Sequence, residues 1–325
     1  MSLAVSNLTV SYGTAPILEG IDLSVATGER FAIMGPSGSG KSTLLRAIAG
    51  LIPVESGTVA IGSTDMVDTP AHRRPVGLMF QDYALFPHMT VLENVGYGLR
   101  MSGVSPGARR DRSIDLLDLV GLAGFAHRKP ATLSGGEQQR VALARTLAPS
   151  PSVVLLDEPL GSLDVSLRES LLTETRMILD AVNATSVYVT HDRGEAFAFC
   201  DRMAILHEGS LARLGTPDEI WHDPQSEFVA RSIGQSNLVP LSEISETRTG
   251  LAFVPPDAVR LHSGGRHVGV ATASRFEDGA HIIQVQLDSA GFVIEARTHT
   301  SVPTDSELRF DIDPEAVIVV SVDEV

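Results

Sequence analysis

Hydrophobic positions recur in three different rhythms along this 325-residue chain, and the places where the rhythm changes divide it. Alternating runs open it, LAVSNLTVSY and ILEGIDLSV, with Gly20 and Gly28 as turn signals; they predict short strands. FAIM at 31–34 is a continuous apolar run of the kind buried in a parallel sheet, and STLLRAIAG at 42–50 has helical spacing. GTVAIGSTDM is again strand-like, and from about 93 to 148 the pattern turns helical, through RSIDLLDLVGLAGF and EQQRVALARTLA. VVLLD at 153–157 and SVYVT at 186–190 read as buried strands, with the helical VSLRESLLTETRMILDAV between them. Such alternation predicts an α/β core with a parallel sheet, an antiparallel β subdomain at the start and a helical insertion at about 93–148. Near residue 236 the texture changes. HIIQVQLD, GFVIEART and AVIVVSV stand between Gly, Pro, Asp and Ser, without a convincing helix, and predict a small β-barrel or sandwich. The expected domains are therefore 1–235 and 236–325.

Composition narrows the classes. With 43% apolar and 20% charged residues the chain has ample material for packed cores. Net charge is −15, and 26 acids against 19 bases in 1–235 leave −7 there, with −8 in the tail. Neither part has the basic excess of a nucleic-acid binder, so no nucleic-acid partner is expected. The single cysteine, Cys200, excludes an internal disulfide and reads as a small buried hydrophobe. The N-terminus reads as a strand rather than a signal peptide, and no run of 18 apolar residues predicts a membrane span.

Chemistry concentrates in a few places. GPSGSGKST at 35–43 fits G-x-x-x-x-G-K-[ST], follows a strand and opens a helix. Gly35, Pro36, Ser37, Gly38, Ser39 and Gly40 would cradle phosphates with backbone N–H groups at a helix N-terminus. Lys41 would pair with the β- and γ-phosphates, Ser42 would ligate Mg²⁺, and Thr43 completes the motif. Only two lysines exist, Lys41 and Lys129, which makes one at the end of this loop more telling. VVLLDE ends a buried strand with two carboxylates. Asp157 can hold the metal and Glu158 can accept a proton from water attacking the γ-phosphate. Standing alone, the pair would be an ordinary acidic turn; beside a phosphate loop it gains a use. A second glycine-rich helix opening, LSGGEQQR at 133–140, offers another site for an anion.

These motifs, with the histidine after SVYVT, resemble the ATP-binding subunit of ABC transporters over about 230 residues in the expected order, and LSGGEQQR is the specific element. The resemblance implies an ATPase with ATP and Mg²⁺. Ser134, Gly135 and Gly136 would bind the γ-phosphate of ATP held by the P-loop of a second copy, in a head-to-tail homodimer. Tyr12 would stack on adenine, Gln81 would reach Mg²⁺ and the attacking water, His191 would contact the γ-phosphate and position Glu158, and Asp164 would lie in the loop crossing the dimer interface. YALFPHMTVLENV resembles the segment that helps form the groove for a membrane subunit's coupling helix. As a plain surface loop, it would instead tuck Phe86 and Met89 into core.

The tail resembles the OB-like accessory domain of certain importers, although Pro255 stands where that family often has arginine. A regulatory or dimerising role is implied, and the −8 charge without Tyr or Trp disfavours oligonucleotide binding. The leading expectation is the peripheral ATPase of an importer at the cytoplasmic face of the membrane. It would work with separate permease subunits and, through them, an extracytoplasmic substrate-binding protein. The cargo class closest by resemblance is iron(III), polyamine or another small ion. The alternative is a soluble ABC ATPase acting on DNA or ribosomes, which the lack of coiled coil or a second motif set disfavours.

Overall fold

A computed structural model describes residues 2–13, 15–161, 165–243, 250–287 and 292–320. Two units divide the chain, Met1–Pro217 and Asp218–Val325.

In the first unit, β1 (Leu3–Tyr12) and β2 (Ala15–Val25) form a hairpin, and β1 pairs on its other side with β4 (Ser56–Ile61), which continues into β5 (Thr64–Asp65). The four make an antiparallel sheet in the order β2-β1-β4-β5. Gly62 at φ 62° turns the chain between β4 and β5, so the strand-like run 57–66 is a tight hairpin. The second sheet contains β3 (Arg30–Met34), β6 (Val76–Met79), β7 (Val153–Asp157), β8 (Ser186–Thr190), β9 (Arg202–His207) and β10 (Ser210–Gly215), ordered β10-β9-β3-β8-β7-β6. All pairs in it are parallel except β9 with β10.

Strands buried on both faces explain the continuous apolar runs of β3, β7 and β8. On one face Phe31, Ile33, Val153, Leu155, Val187 and Val189 pack with Leu44, Leu45 and Ile48 of α1 (Lys41–Ala49) and with the antiparallel sheet. On the other, Val154, Leu156 and Tyr188 pack with the insertion and the helices after it. That second layer holds α2 (Val91–Val95), α3 (Tyr97–Met101), α4 (Pro106–Leu119), α5 (Gly135–Leu147), α6 (Val165–Ala181) and α7 (Arg193–Phe199). Period-two alternation along each strand thus separates α1 from α5 by the thickness of the sheet.

The second unit begins within α8 (Pro217–His222) and continues through α9 (Glu227–Ser232), so the boundary expected near 236 lies inside it. Contacts explain the difference: Ala230 shares a small core with Phe253 and Val320, and Trp221 meets Phe253 edge-on at 6.2 Å. β-structure follows as expected from the alternation. A three-stranded sheet joins β11 (Leu238–Pro240), β12 (Leu251–Phe253) and β18 (Ile318–Val320). A five-stranded sheet joins β13 (Val259–Leu261), β14 (His267–Glu277), β15 (Ala280–Leu287), β16 (Val293–Thr298) and β17 (Glu307–Ile312), in the order β13-β17-β14-β15-β16. Buried Asn237 ties the two sheets: it donates to Val254 O at 2.7 Å and Glu295 O at 3.0 Å, and accepts from Glu295 N at 2.8 Å.

Candidate functional site

Strand register brings the predicted residues together. Met34 pairs with Thr190, Asp157 with Val189 and Met79 with Leu156. The residues that follow, Gly35, His191, Glu158 and Gln81, therefore emerge at one edge, the carboxyl ends of parallel strands where α/β sheets bind ligands.

Gly35 must be glycine, because a methyl group there would stand 2.3 Å from Leu206 O. Gly40 has φ 104°, and a methyl on it would meet Leu18 Cδ2 at 2.7 Å. Gly40 is the N-cap of α1, which has no side-chain cap and no acid in its first turn, so the first amides remain available to an anion. Pro36, Ser37 and Gly38 are exposed on the cradle, Ser42 and Thr43 are half-buried, and the buried Ser39 Oγ has no hydrogen-bond partner among the described residues. Lys41 is buried, donating to Gly35 O at 2.9 Å and Pro36 O at 2.8 Å. Burial pushes its pKa down, against the pull of Glu158 and Asp157.

Ser42 Oγ donates to Asp157 Oδ1 at 2.7 Å. Burial raises the Asp157 pKa; Ser42 and Arg46 oppose the rise. A hydroxyl and a buried carboxylate side by side suit a small hard cation that also takes phosphate oxygens, so these donors fit Mg²⁺. Glu158, the first residue after β7, has φ 44°, a left-handed conformation costly for a non-glycine residue. His191 Nδ1 lies 3.2 Å from Glu158 Oε2. A methyl group on Gly161 would stand 3.2 Å from Gln81 Nε2 and 3.7 Å from Glu158 Oε2, so both side chains end near Gly161.

The network that holds the backbone on either side of His191 was not anticipated. Thr190 Oγ1 accepts from Asp192 N at 2.9 Å and donates to Glu195 at 2.7 Å, and Tyr188 OH donates to Glu195 at 3.0 Å. Asp192 caps α7 by accepting from Glu195 N at 3.0 Å. Burial and Glu195 hold the Tyr188 hydroxyl well above its usual pKa, so it stays a donor. The only local signal is an Asp-x-x-Glu helix start after a strand.

Ser134, Gly135 and Gly136 do not join this group: they open α5, on the opposite face of the sheet. Ser134 forms a capping box with Glu137, donating its N–H to Glu137 Oε2 at 2.7 Å and accepting from Glu137 N at 3.4 Å. Gly135 is exposed. Gly136 is buried where a methyl would lie 3.3 Å from Leu171 Cδ1, a close approach of α5 to α6. Tyr12 is exposed at the end of the β1–β2 hairpin, pairing with Ala15, and the same hairpin brings Ile17 and Leu18 against Gly40. Asp164 lies outside the described residues. Phe86 is half-buried, its ring 4.5 Å from that of Tyr97.

A model of the ABC transporter family matches residues 18–161. The Fe(3+) ions import ATP-binding protein FbpC of Streptomyces avermitilis is 47% identical over 298 residues, covering 87% of this chain and 86% of that protein. The chain belongs to the ABC transporter ATP-binding family. FbpC of Rhizobium etli is 36% identical over 340 residues, 97% of this chain and 96% of that protein. The Spermidine/putrescine import ATP-binding protein PotA of Roseobacter denitrificans is 46% identical over 255 residues, 78% of this chain and 70% of that protein. The dimeric structure of the bacterial ABC transporter cassette MJ0796 superposes with a TM-score of 0.58 at 35% identity, over 66% of this chain and 98% of that one. As a member of this ABC family the chain is an ATP-binding ATPase. No helix among the described residues is long and apolar enough to cross a membrane.

Proposed function

We propose that this chain is the ATP-hydrolysing subunit of an importer, working as a pair of identical chains that drives separate membrane permease subunits. The observation that carries the reading is the separation of two anion-binding helix ends, α1 and α5, by the sheet within one chain. Two copies facing head to tail bring the P-loop of each to the Ser134 end of the other. ATP then bridges the copies, and its γ-phosphate favours the closed pair through contacts that the open one lacks.

Within each site Lys41 and the amides of 35–43 hold the phosphates, and Tyr12 stacks on the base. Ser42 and Asp157 would hold Mg²⁺, with Gln81 at its edge; the ion would neutralise charge on the phosphate oxygens. Glu158 takes the proton of the attacking water, and His191 orients Glu158 at their 3.2 Å contact. The loop of Asp164 meets the partner copy. Gln81 reports the state of the site to 83–95, where a permease element docks. The names of the relatives support iron(III) or a polyamine as cargo, delivered through an extracytoplasmic binding protein. Placement at the cytoplasmic face of the membrane follows from such a permease.

Glu158→Gln tests the reading. It is expected to bind ATP normally while turnover falls roughly 10²–10⁴-fold, the range of a lost general base. Trapped with Mg-ATP and recovered from solubilised membranes of its native cells, it should bring down a polytopic chain identified by mass spectrometry. Normal turnover would remove Glu158 from the mechanism. Recovery with ribosomes or DNA-bound proteins and no membrane chain would replace the importer with a soluble ATPase.

A further inference from the structure

Two residues beyond Gln81 the backbone enters a region that L-residues avoid. Tyr83 and Ala84 both have positive φ, 60° and 45°, although no glycine occurs anywhere between Gln81 and Thr90. Consecutive left-handed residues bring each Cβ against backbone oxygen and need support from outside the turn. Arg145, in the last turn of α5, supplies it. Its Nη2 donates to Tyr83 O at 2.6 Å and its Nη1 to Ala84 O at 2.7 Å. The guanidinium carbon also lies 5.7 Å from the centre of the Phe86 ring. One planar fork so fixes two successive carbonyls, a geometry the point charge of lysine cannot reproduce. The far end of the segment is held separately: Asn94 accepts from Phe86 N at 2.8 Å and donates to Phe86 O at 3.1 Å and Thr90 O at 2.9 Å.

We propose that Arg145 is a positioning residue for ATP hydrolysis, holding the Tyr83–Ala84 turn so that Gln81 stays beside Glu158. This rests on the proposed role of Gln81 and Glu158 at the attacking water. It also gives α5 a second duty. The helix starts at Ser134, which faces the partner's ATP in the proposed pair, and Arg145 in its last turn grips the loop of the chain's own site. A shift of α5 at one end therefore reaches Gln81 at the other.

The test measures ATP affinity and steady-state turnover of the full-length protein in four variants. Arg145→Lys is expected to lower kcat about tenfold while ATP affinity stays within about twofold, since the P-loop is untouched. Ala84→Gly, at an exposed position, makes the left-handed conformation accessible without help. In the Arg145→Lys background it should recover about a third or more of the lost kcat, though it adds no contact. That recovery separates positioning from a general loss of folding, including the case in which Arg145→Met does not fold. Gln81→Ala is the control. Full turnover in Gln81→Ala would overturn the site reading and this inference together. Lost turnover in Gln81→Ala with normal turnover in Arg145→Lys would overturn this inference alone. The absence of any recovery by Ala84→Gly would do the same.

Discussion

α1 and α5 both open on glycine-rich turns, and they treat their own N-terminal amides in opposite ways. α1 starts at Gly40, with φ 104°, no side-chain cap and no acid in its first turn. α5 starts at Ser134, whose N–H and hydroxyl are both engaged by Glu137. Among the described residues no side chain caps the first helix, whereas the second supplies its own carboxylate. Under the proposed function, the contrast separates a primary phosphate site from one whose helix start is stable without ligand. In the proposed pair, a γ-phosphate reaching Ser134 would have to share it with Glu137, which would suit a contact made and broken in each cycle.

Substitutions at the two helix ends test that contrast. Lys41→Met strikes the primary site alone and should weaken ATP binding by about tenfold to a hundredfold, the worth of charge-assisted hydrogen bonds, as read by titration with a fluorescent nucleotide. Gly40→Ala forces a Cβ into the left-handed N-cap and toward Leu18, so denaturant unfolding should show a loss of about 1–3 kcal/mol along with weaker ATP binding. Ser134→Ala should cost about 1 kcal/mol as a lost cap and lower turnover, with ATP affinity of the single chain unchanged. Equal loss of affinity in Ser134→Ala and Lys41→Met would mean that the two ends serve one ATP in the same chain.

The smallest effects have opposite pH signs. Burial raises the Asp157 pKa above its unfolded value, so its contribution to stability is full below about pH 4 and lost as pH rises through the folded pKa. Asp157→Asn should therefore raise the Tm of the nucleotide-free protein at pH 7.5, and the gain should vanish near pH 4. Hydrogen bonds from Ser134 depress the Glu137 pKa, so its contribution is present above the unfolded pKa and fades as pH falls through the folded one. Glu137→Gln should lower Tm slightly at pH 7.5 and not at pH 3. Thermal scans at those pH values decide both.

Most of the nucleotide edge was legible because its chemistry is local: nine consecutive residues make the P-loop, and buried parallel strands announce themselves by unbroken apolar runs. The edge strand β6 gave no such signal. Its four residues include Gly77, required because a methyl there would meet Thr146 Cγ2 of α5 at 2.7 Å, a reason that lies far away in sequence. The start of the second unit was hidden in the same way, since α8 and α9 are ordinary short helices until Trp221 and Ala230 meet Phe253. Arginines were the least legible. Among 23 of them, nothing local marks Arg145 as the clamp on Tyr83 and Ala84. The same holds for Arg74, buried against Ala47 O, Ile48 O, Val67 O and Thr69 O at the end of α1.

The backbone at Glu158 has a consequence for anyone who selects this protein for robustness. At φ 44° glycine is the more comfortable residue, by about 1 kcal/mol. A library sorted only for resistance to heat would therefore enrich glycine at 158 and return well-folded molecules that lack the base proposed for ATP hydrolysis. Heat tolerance and turnover pull in opposite directions at this one residue, so any useful screen has to score both.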